Sequence, residues 1–378
     1  MKKLNLLLSL LILMTTLAHA QNSKKRVRDY GIEIGVLRTG EHNAITDVPG
    51  VTVGHTTLVA GDSVRTGVTA ILPHQGNIFQ QKVPAAIFIG NGFGKLAGYS
   101  QVKELGNIET PIILTNTLSI AAATEGLITY TLDMEGNEEV GSVNSVVGET
   151  NDGYLNDIRG RHVKPEHIRQ TIEKATDGPM QEGNVGAGTG TSAFGYKGGI
   201  GTASRVLPAK EGGYTIGVLV QSNFGGVLEI AGVPVAKEFK NYPYYNSYEA
   251  DGSCMIVVLT DAPLDARNLE RLAERALLGL GKTGGIASNG SGDYVIAVST
   301  AEENRVPYDE SIAVRDTKTL NNEHMTPLFL ATIEATEEAI LNSMFAAEDM
   351  TGRDGNTLKA LPVEKVMELM REYNRIKK

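Results

Sequence analysis

Short β-branched runs bounded by glycine or proline alternate with helical stretches along this chain from residue 43 onward. That alternation constrains the fold most, because segments of period 2 and period 3.6 in turn can bury their apolar faces together only as stacked layers. In NAITDVPGVTVGHTTLV, Val48, Val51 and Val53 flank the turn pair Pro49-Gly50. Further strands are expected at Val68 to Leu72, Ala85 to Ile89, Ile112 to Thr115 and Thr215 to Val220. Helical patterns mark Leu118 to Leu132 and Pro165 to Ala175. No internal repeat is present, so the expectation is a layered α/β architecture rather than a solenoid. A length of 378 residues allows two domains or one large α/β unit.

The last third carries the most specific pattern. An apolar run, Cys254 to Thr260, precedes LDARNLERLAERALLGLGKTGG, in which Leu269, Leu272, Ala276 and Leu280 recur at helical intervals. Asp265 is the expected N-cap and Gly281 the expected stop. A second apolar run, Tyr294 to Thr300, follows a glycine-rich loop. If the two runs are parallel neighbours, a right-handed crossover brings their N-terminal ends to one sheet edge. Two more helices are expected, at Pro327 to Phe345, with Glu334, Glu337 and Glu338 among its polar positions, and at Pro362 to Ile376.

Composition excludes some functions. Thirty-five Lys and Arg against forty-four Asp and Glu give a formal charge of −9, which repels phosphate backbones, and no basic stripe interleaved with aromatics is present. Nucleic acid is therefore not an expected partner. MKKLNLLLSLLILMTTLAHA combines a basic start, an apolar run from Leu4 to Leu17 and small residues at Ala18 and Ala20, the pattern of a cleaved secretory signal spanning 1–20. The run is shorter than the roughly 20 residues of a membrane span. The expectation is a secreted or periplasmic protein beginning near Gln21, without a membrane segment. Its single cysteine, Cys254, excludes an intrachain disulfide and reads as a buried strand thiol.

The 43 glycines gather in loops at GNGFGKLAG, GNVGAGTGTSAFGYKGGIG and GKTGGIASNGSGD, where backbone amides can approach a ligand closely. Gly90, Gly92 and Gly94, with Glu109, imitate a dinucleotide fingerprint, but the third glycine comes one position early. No Walker A sequence occurs, and the seven histidines form no H-x-x-x-H or H-E-x-x-H pair. His162 and His167 read as a solvated helix start. A G-x-S-x-G elbow is absent too, so a serine nucleophile would need a base other than a triad histidine. One solution is a nucleophile that is also a chain terminus, whose α-amine, with a pKa of about 7.7 to 8.0, accepts the proton. EADGSCMIVVLT offers it: the Ser253 hydroxyl could attack the Gly252 carbonyl and release a Ser253 amine.

Seven blocks in order resemble a known family: NAITDVPGVTVGH at Asn43, LTNTLSI at Leu114, VVGETNDGYLND at Val146, GNVGAGTG at Gly183, GVLVQSNFG at Gly217, GSCMIVVLTDAPL at Gly252 and NGSGDY at Asn289. The chain looks like the family of the L-aminopeptidase/D-amino-acid esterase and the β-peptidyl aminopeptidases, self-processing N-terminal serine hydrolases. The resemblance implies a four-layer α/β/β/α fold like that of N-terminal nucleophile hydrolases. It also implies a single hydrolase domain cut between Gly252 and Ser253 into an α chain, 21–252, and a β chain, 253–378, and a homo-oligomer of such pairs, often a tetramer. No cofactor or metal is implied. Carried over by position, Ser253 matches the nucleophile, Ser291 and Asp293 the pair that orients it, and Asn223 the oxyanion donor. Glu149 matches the acid that pairs with the free amine of a peptide or amide substrate. An aromatic hydroxyl is expected near Asn151, and here Tyr154 stands three residues later; Asn116 and the Gly92 loop are expected to line the pocket. Two other readings stay open at this point: an acyltransferase of the ornithine acetyltransferase type, and a non-enzymatic periplasmic binding protein.

Overall fold

The computed structural model describes residues 24–245, 252–309 and 311–376; the expected leader lies outside them, as does most of the loop before Gly252. The chain opens with an antiparallel hairpin, β1 (Thr52–Ala60) and β2 (Val64–Leu72). There follow β3 (Gln81–Gly92), the short β4 (Leu96–Ala97), β5 (Ile112–Asn116), helix α1 (Ile120–Leu132), β6 (Val146–Thr150) and helix α2 (Pro165–Glu173). Next come β7 (Gly199–Val206), β8 (Thr215–Asn223) and β9 (Ser253–Thr260). Helix α3 (Ala266–Lys282), β10 (Gly292–Ser299), α4 (Thr326–Phe345) and α5 (Val363–Glu372) complete the principal elements. One sheet has the order β1-β2-β5-β6-β4; the other runs β7-β8-β9-β10-β3, with Val306–Pro307 on its edge.

The two sheets stack face to face. Ile71, Ile112, Leu114 and Val146 of the first pack with Leu219, Met255, Val257 and Ile296 of the second. On the outer face of the first sheet, Val68, Ala70, Ile113 and Val147 meet Leu127 of α1 and Ile168 of α2. Val218, Ile256, Val258 and Val295 cover the outer face of the second against Leu269 and Leu272 of α3 and Leu328 and Ile340 of α4. The result is the expected four-layer α/β/β/α sandwich. It explains why CMIVVLT is apolar throughout: alternate residues point to opposite layers, and both layers are buried. Cys254 is among these buried side chains, and burial pushes its thiol well above its ordinary pKa.

The crossover is as expected, with β9 and β10 parallel neighbours joined through α3. Asp265 caps α3 by accepting the Asn268 N–H at 2.8 Å. Gly281 is not the stop, however: it lies in the last turn, and the helix ends at Lys282 with Thr283 as its cap, the Thr283 hydroxyl donating to the Leu280 carbonyl at 2.7 Å. Likewise α5 stops at Glu372, short of Ile376. His167 folds back at the start of α2 to accept the Lys164 N–H at 3.0 Å, and His162 approaches Asp157 at 3.1 Å.

The polar positions of α4 are not solvated. Glu334, Glu337 and Glu338 are all buried. Fully buried Arg205 on β7 reaches Glu334 at 3.0 Å and Glu338 at 2.7 Å, and Arg28 meets Glu338 at 2.7 Å. Lys282 pairs with Glu337 at 2.6 Å. The backbone N–H groups of Val36 and Leu37 donate to Glu334. The segment around 26–37 thus lies across α4, so a face that periodicity marks as exposed becomes an interior seam of paired charges.

The glycine triplet after β3 does not form a dinucleotide turn. Gly90 and Gly92 continue β3 as a strand, and Glu109 is committed to Lys82 at 2.6 Å. Among the described residues no group of three or more His, Cys, Asp or Glu could hold a metal ion, and no helix is long and apolar enough to cross a membrane.

Candidate active site

Strand register assembles one row of residues across the second sheet. Asn223, last in β8, stands opposite Ser253, first in β9; Ser253 is beside Gly292, first in β10; and Gly292 faces Gly92, last in β3. Four segments distant in sequence therefore end at one sheet edge. Ser291 and Asp293 flank Gly292, so they arrive at the same place, buried.

The contacts along this row are directional. The Ser253 hydroxyl donates to the Gly252 carbonyl at 2.7 Å. The Gly292 N–H points at the same pair, 3.1 Å from the Gly252 oxygen and 3.2 Å from Ser253 Oγ. Residue 252 has room only for glycine: a Cβ there would lie 1.9 Å from the Asn223 carbonyl oxygen. The Asn223 carbonyl at the end of β8 thus stands against the side-chain face of Gly252, next to its bond with Ser253.

Ser291 donates its hydroxyl to Asp293 Oδ1 at 2.9 Å, while Asp293 Oδ2 is buried without a hydrogen-bond partner. Burial raises the Asp293 carboxyl to a pKa of about 6, against the opposing hydrogen bonds from Ser291 and the Cys254 backbone. The loop before β10 is pinned by Asn91, whose side-chain amide donates to the carbonyls of Ser288 at 2.9 Å and of Ser291. Asn223 is held at both ends of its amide, the oxygen accepting the Ser192 N–H at 3.0 Å and the nitrogen donating to the Asn151 carbonyl at 3.1 Å. An amide nitrogen carries two N–H groups, and Asn151 takes one.

Glu149 lies on the other side of Gly292. A Cβ on Gly94 would be 3.2 Å from Glu149 Oε1 and 3.4 Å from the Gly292 Cα, so Gly94 separates the carboxylate from the row by one residue's width. The Lys95 N–H at 2.9 Å and the Thr117 hydroxyl hold the carboxylate in place. Tyr294 leans over the same spot, its phenol raised in pKa first by burial and then by the charge of Glu149.

Of the residues singled out from sequence, Ser253, Gly252, Asn223, Ser291, Asp293 and Gly92 meet in the row, with Glu149 and the Asn151 carbonyl against it. Asn116 is buried in structural bonds: its amide donates to Thr66 at 2.7 Å and its oxygen accepts the Leu118 N–H at 3.1 Å. Tyr154 has a half-exposed ring, and its backbone oxygen takes the Asn356 amide at 2.9 Å. Sequence reading missed Gly292, Asn91, Thr117 and Ser192. Gly292 and Ser192 act through backbone N–H groups, which no residue letter announces; Thr117 follows Asn116 inside the LTNTLSI block, and Asn91 lies in the Gly92 loop expected to line the pocket.

This arrangement can perform acyl transfer through a hydroxyl, with a backbone donor at the carbonyl and an acid nearby for a cationic substrate group. The pattern of Peptidase family S58 matches residues 43–358. The chain belongs to peptidase family S58. It is 39% identical to the β-peptidyl aminopeptidase BapA of Sphingosinicella microcystinivorans over 374 residues, covering 93% of each. Among solved structures, the PH0078 protein from Pyrococcus horikoshii is 52% identical with a TM-score of 0.86, covering 92% of this chain and 99% of that one. An L-aminopeptidase D-Ala-esterase/amidase from Ochrobactrum anthropi, described as the prototype of the serine aminopeptidases and a variant of the Ntn hydrolase fold, is 38% identical. Its TM-score is 0.86, with 93% of this chain and 99% of that one covered. The S58 chain described here is accordingly an aminopeptidase-type hydrolase with the α/β/β/α fold of that variant.

Proposed function

We propose that this S58 hydrolase activates itself by cutting its own chain between Gly252 and Ser253 and then removes N-terminal residues from peptides, amides or esters through an acyl-enzyme on Ser253. The observation that carries the reading is the Gly292 N–H, placed within 3.2 Å of both the attacking atom, Ser253 Oγ, and the oxygen of the carbonyl to be attacked, that of Gly252. In the first reaction Ser253 Oγ bonds to the Gly252 carbonyl carbon while the Gly292 N–H stabilises the negative oxygen. The Gly252–Ser253 C–N bond breaks, the nitrogen keeps the proton from the hydroxyl, and water hydrolyses the resulting ester to a Gly252 carboxylate and a free Ser253 amine.

The new amine then serves as base for the Ser253 hydroxyl, directly or through Ser291. Asp293 Oδ2, buried and unpartnered, is the acceptor that such an ammonium needs. Asn223 donates to the oxyanion, and Glu149 attracts the substrate's free ammonium, so blocked N-termini are poor substrates. Water completes the cycle by releasing the acyl group; no cofactor takes part. The basic-apolar-small leader supports export of the precursor, and the family resemblance supports assembly into a homo-oligomer, a tetramer of processed pairs.

Ser253→Ala tests the reading. The variant is expected to stay a single uncut chain without activity; a cut or active variant would refute the assignment. Chromogenic amides of L-α-, D-α- and β-amino acids, assayed side by side on the parent enzyme, then define the preferred residue.

A further inference from the structure

The glycine-rich segment 183–201 contributes no reacting group, yet it encloses a lysine removed entirely from solvent. Lys197 is 0% exposed, and its Nζ donates to the carbonyls of Gly188 at 2.9 Å and Gly198 at 2.7 Å. No carboxylate lies within ion-pair distance of it among the described residues. Burial pushes its ammonium well below the ordinary lysine value, an effect that Lys24 reinforces and Asp152 opposes. A cation so placed is costly, and a methionine would fill the same volume without that cost.

What surrounds Lys197 suggests its use. Ser192 stands directly opposite Lys197 in a two-residue antiparallel pair, and the Ser192 N–H fixes the oxygen of the Asn223 amide at 3.0 Å. Asp152, the acid that favours the charged lysine, follows Asn151, whose carbonyl takes the other end of that amide at 3.1 Å. Asp152 is itself fixed by the Asn156 amide at 2.9 Å, and its Cβ lies 2.9 Å from where a Cβ on Gly190 would be. The Ser192 clamp thus belongs to the segment whose two ends Lys197 ties together, and the Asn151 clamp sits against that segment where Asp152 meets Gly190. The orientation matters chemically: an amide turned by half a revolution would aim its oxygen at the developing oxyanion and oppose the reaction.

We propose that Lys197 is a positioning residue for oxyanion stabilisation, its two carbonyl bonds locking segment 188–198 so that Ser192 and Asn151 hold Asn223 with its N–H toward the reacting carbonyl. This rests on the role of Asn223 in the proposed function. Lys197 touches no substrate, so its loss acts on kcat and leaves substrate binding alone.

The test is a double-mutant cycle between Lys197→Met and Asn223→Ala in the processed enzyme, with kcat and KM measured on one amino-acid amide. Asn223→Ala alone is expected to lose roughly 10²- to 10³-fold in kcat. Lys197→Met alone is expected to lose about 10- to 100-fold in kcat with KM within about twofold, since small misplacements carry penalties of that order. Added to Asn223→Ala, it is expected to lose nothing further. Should Lys197→Met fail to fold, as judged by urea unfolding, Asp152→Asn takes its place in the cycle with the same expectation. A folded Lys197→Met enzyme with parental kcat, or equal losses in both backgrounds, overturns the proposal while leaving Asn223 in its role. Full kcat in Asn223→Ala refutes the role of Asn223 itself, and the proposal with it.

Discussion

At the scale of single residues, Asp293 and Glu149 are two buried acids, each proposed to hold an ammonium: the new Ser253 terminus for Asp293 and the substrate amine for Glu149. Asp293 has a folded pKa of about 6, raised by burial from 3.8, so the folded state holds its proton more tightly than the unfolded chain does. Its contribution to stability is therefore best below pH 4 and declines as pH rises through 6. In the uncut Ser253→Ala background, Asp293→Asn should gain up to about 3 kcal/mol on its parent between pH 4 and pH 8, read from urea midpoints. A constant difference would place the carboxyl in a solvated setting. In the processed enzyme the proposed working form is the charged carboxylate, and the Ser253 ammonium beside it favours that form, so kcat should rise with pH with its midpoint below the value of about 6 held in the uncut chain. Glu149 is held beside the row by the Lys95 N–H and the Thr117 hydroxyl, where it is proposed to meet the substrate amine. Glu149→Gln should raise KM for free-amine substrates by roughly 10- to 100-fold, the worth of one charge-assisted bond of about 1.5–3 kcal/mol, with kcat little changed. A fall confined to kcat would contradict an ammonium-binding role.

At the scale of elements, what could be read in advance followed from local pattern. The β9–α3–β10 unit was legible because two fully apolar runs flank a capped amphipathic helix, and handedness then fixes which ends meet. Its register was not legible: that Ser253 stands opposite Asn223 and beside Gly292 depends on pairing between strands whose partners are chosen by the packed sheet. The buried glutamates of α4 were hidden for a similar reason. Periodicity reports one helix face, whereas Arg205 and Arg28 come from segments more than a hundred residues away. Removing one member of this seam leaves uncompensated charge, so Glu338→Ala should cost about 3–5 kcal/mol of stability. Measured unfolding free energy within about 1 kcal/mol of the parent would show the seam to be solvated.

At the scale of the whole molecule, the proposed cut divides the sequence without dividing the fold. β8 before the cut pairs along its length with β9 after it, and β3 pairs with β10. Arg28 and Arg205 lie before the cut, and their partners Glu334 and Glu338 after it. The two pieces should therefore coelute under native conditions and separate only in denaturant, as bands of about 24 and 14 kDa from a 40.4 kDa precursor. Separation on a native sizing column would show that the shared sheet does not hold them. The most direct measurement is N-terminal sequencing of the smaller band from active enzyme. The expected start is Ser-Cys-Met-Ile, residues 253–256; an active enzyme whose chain is intact across Gly252 and Ser253 would contradict the proposed cut.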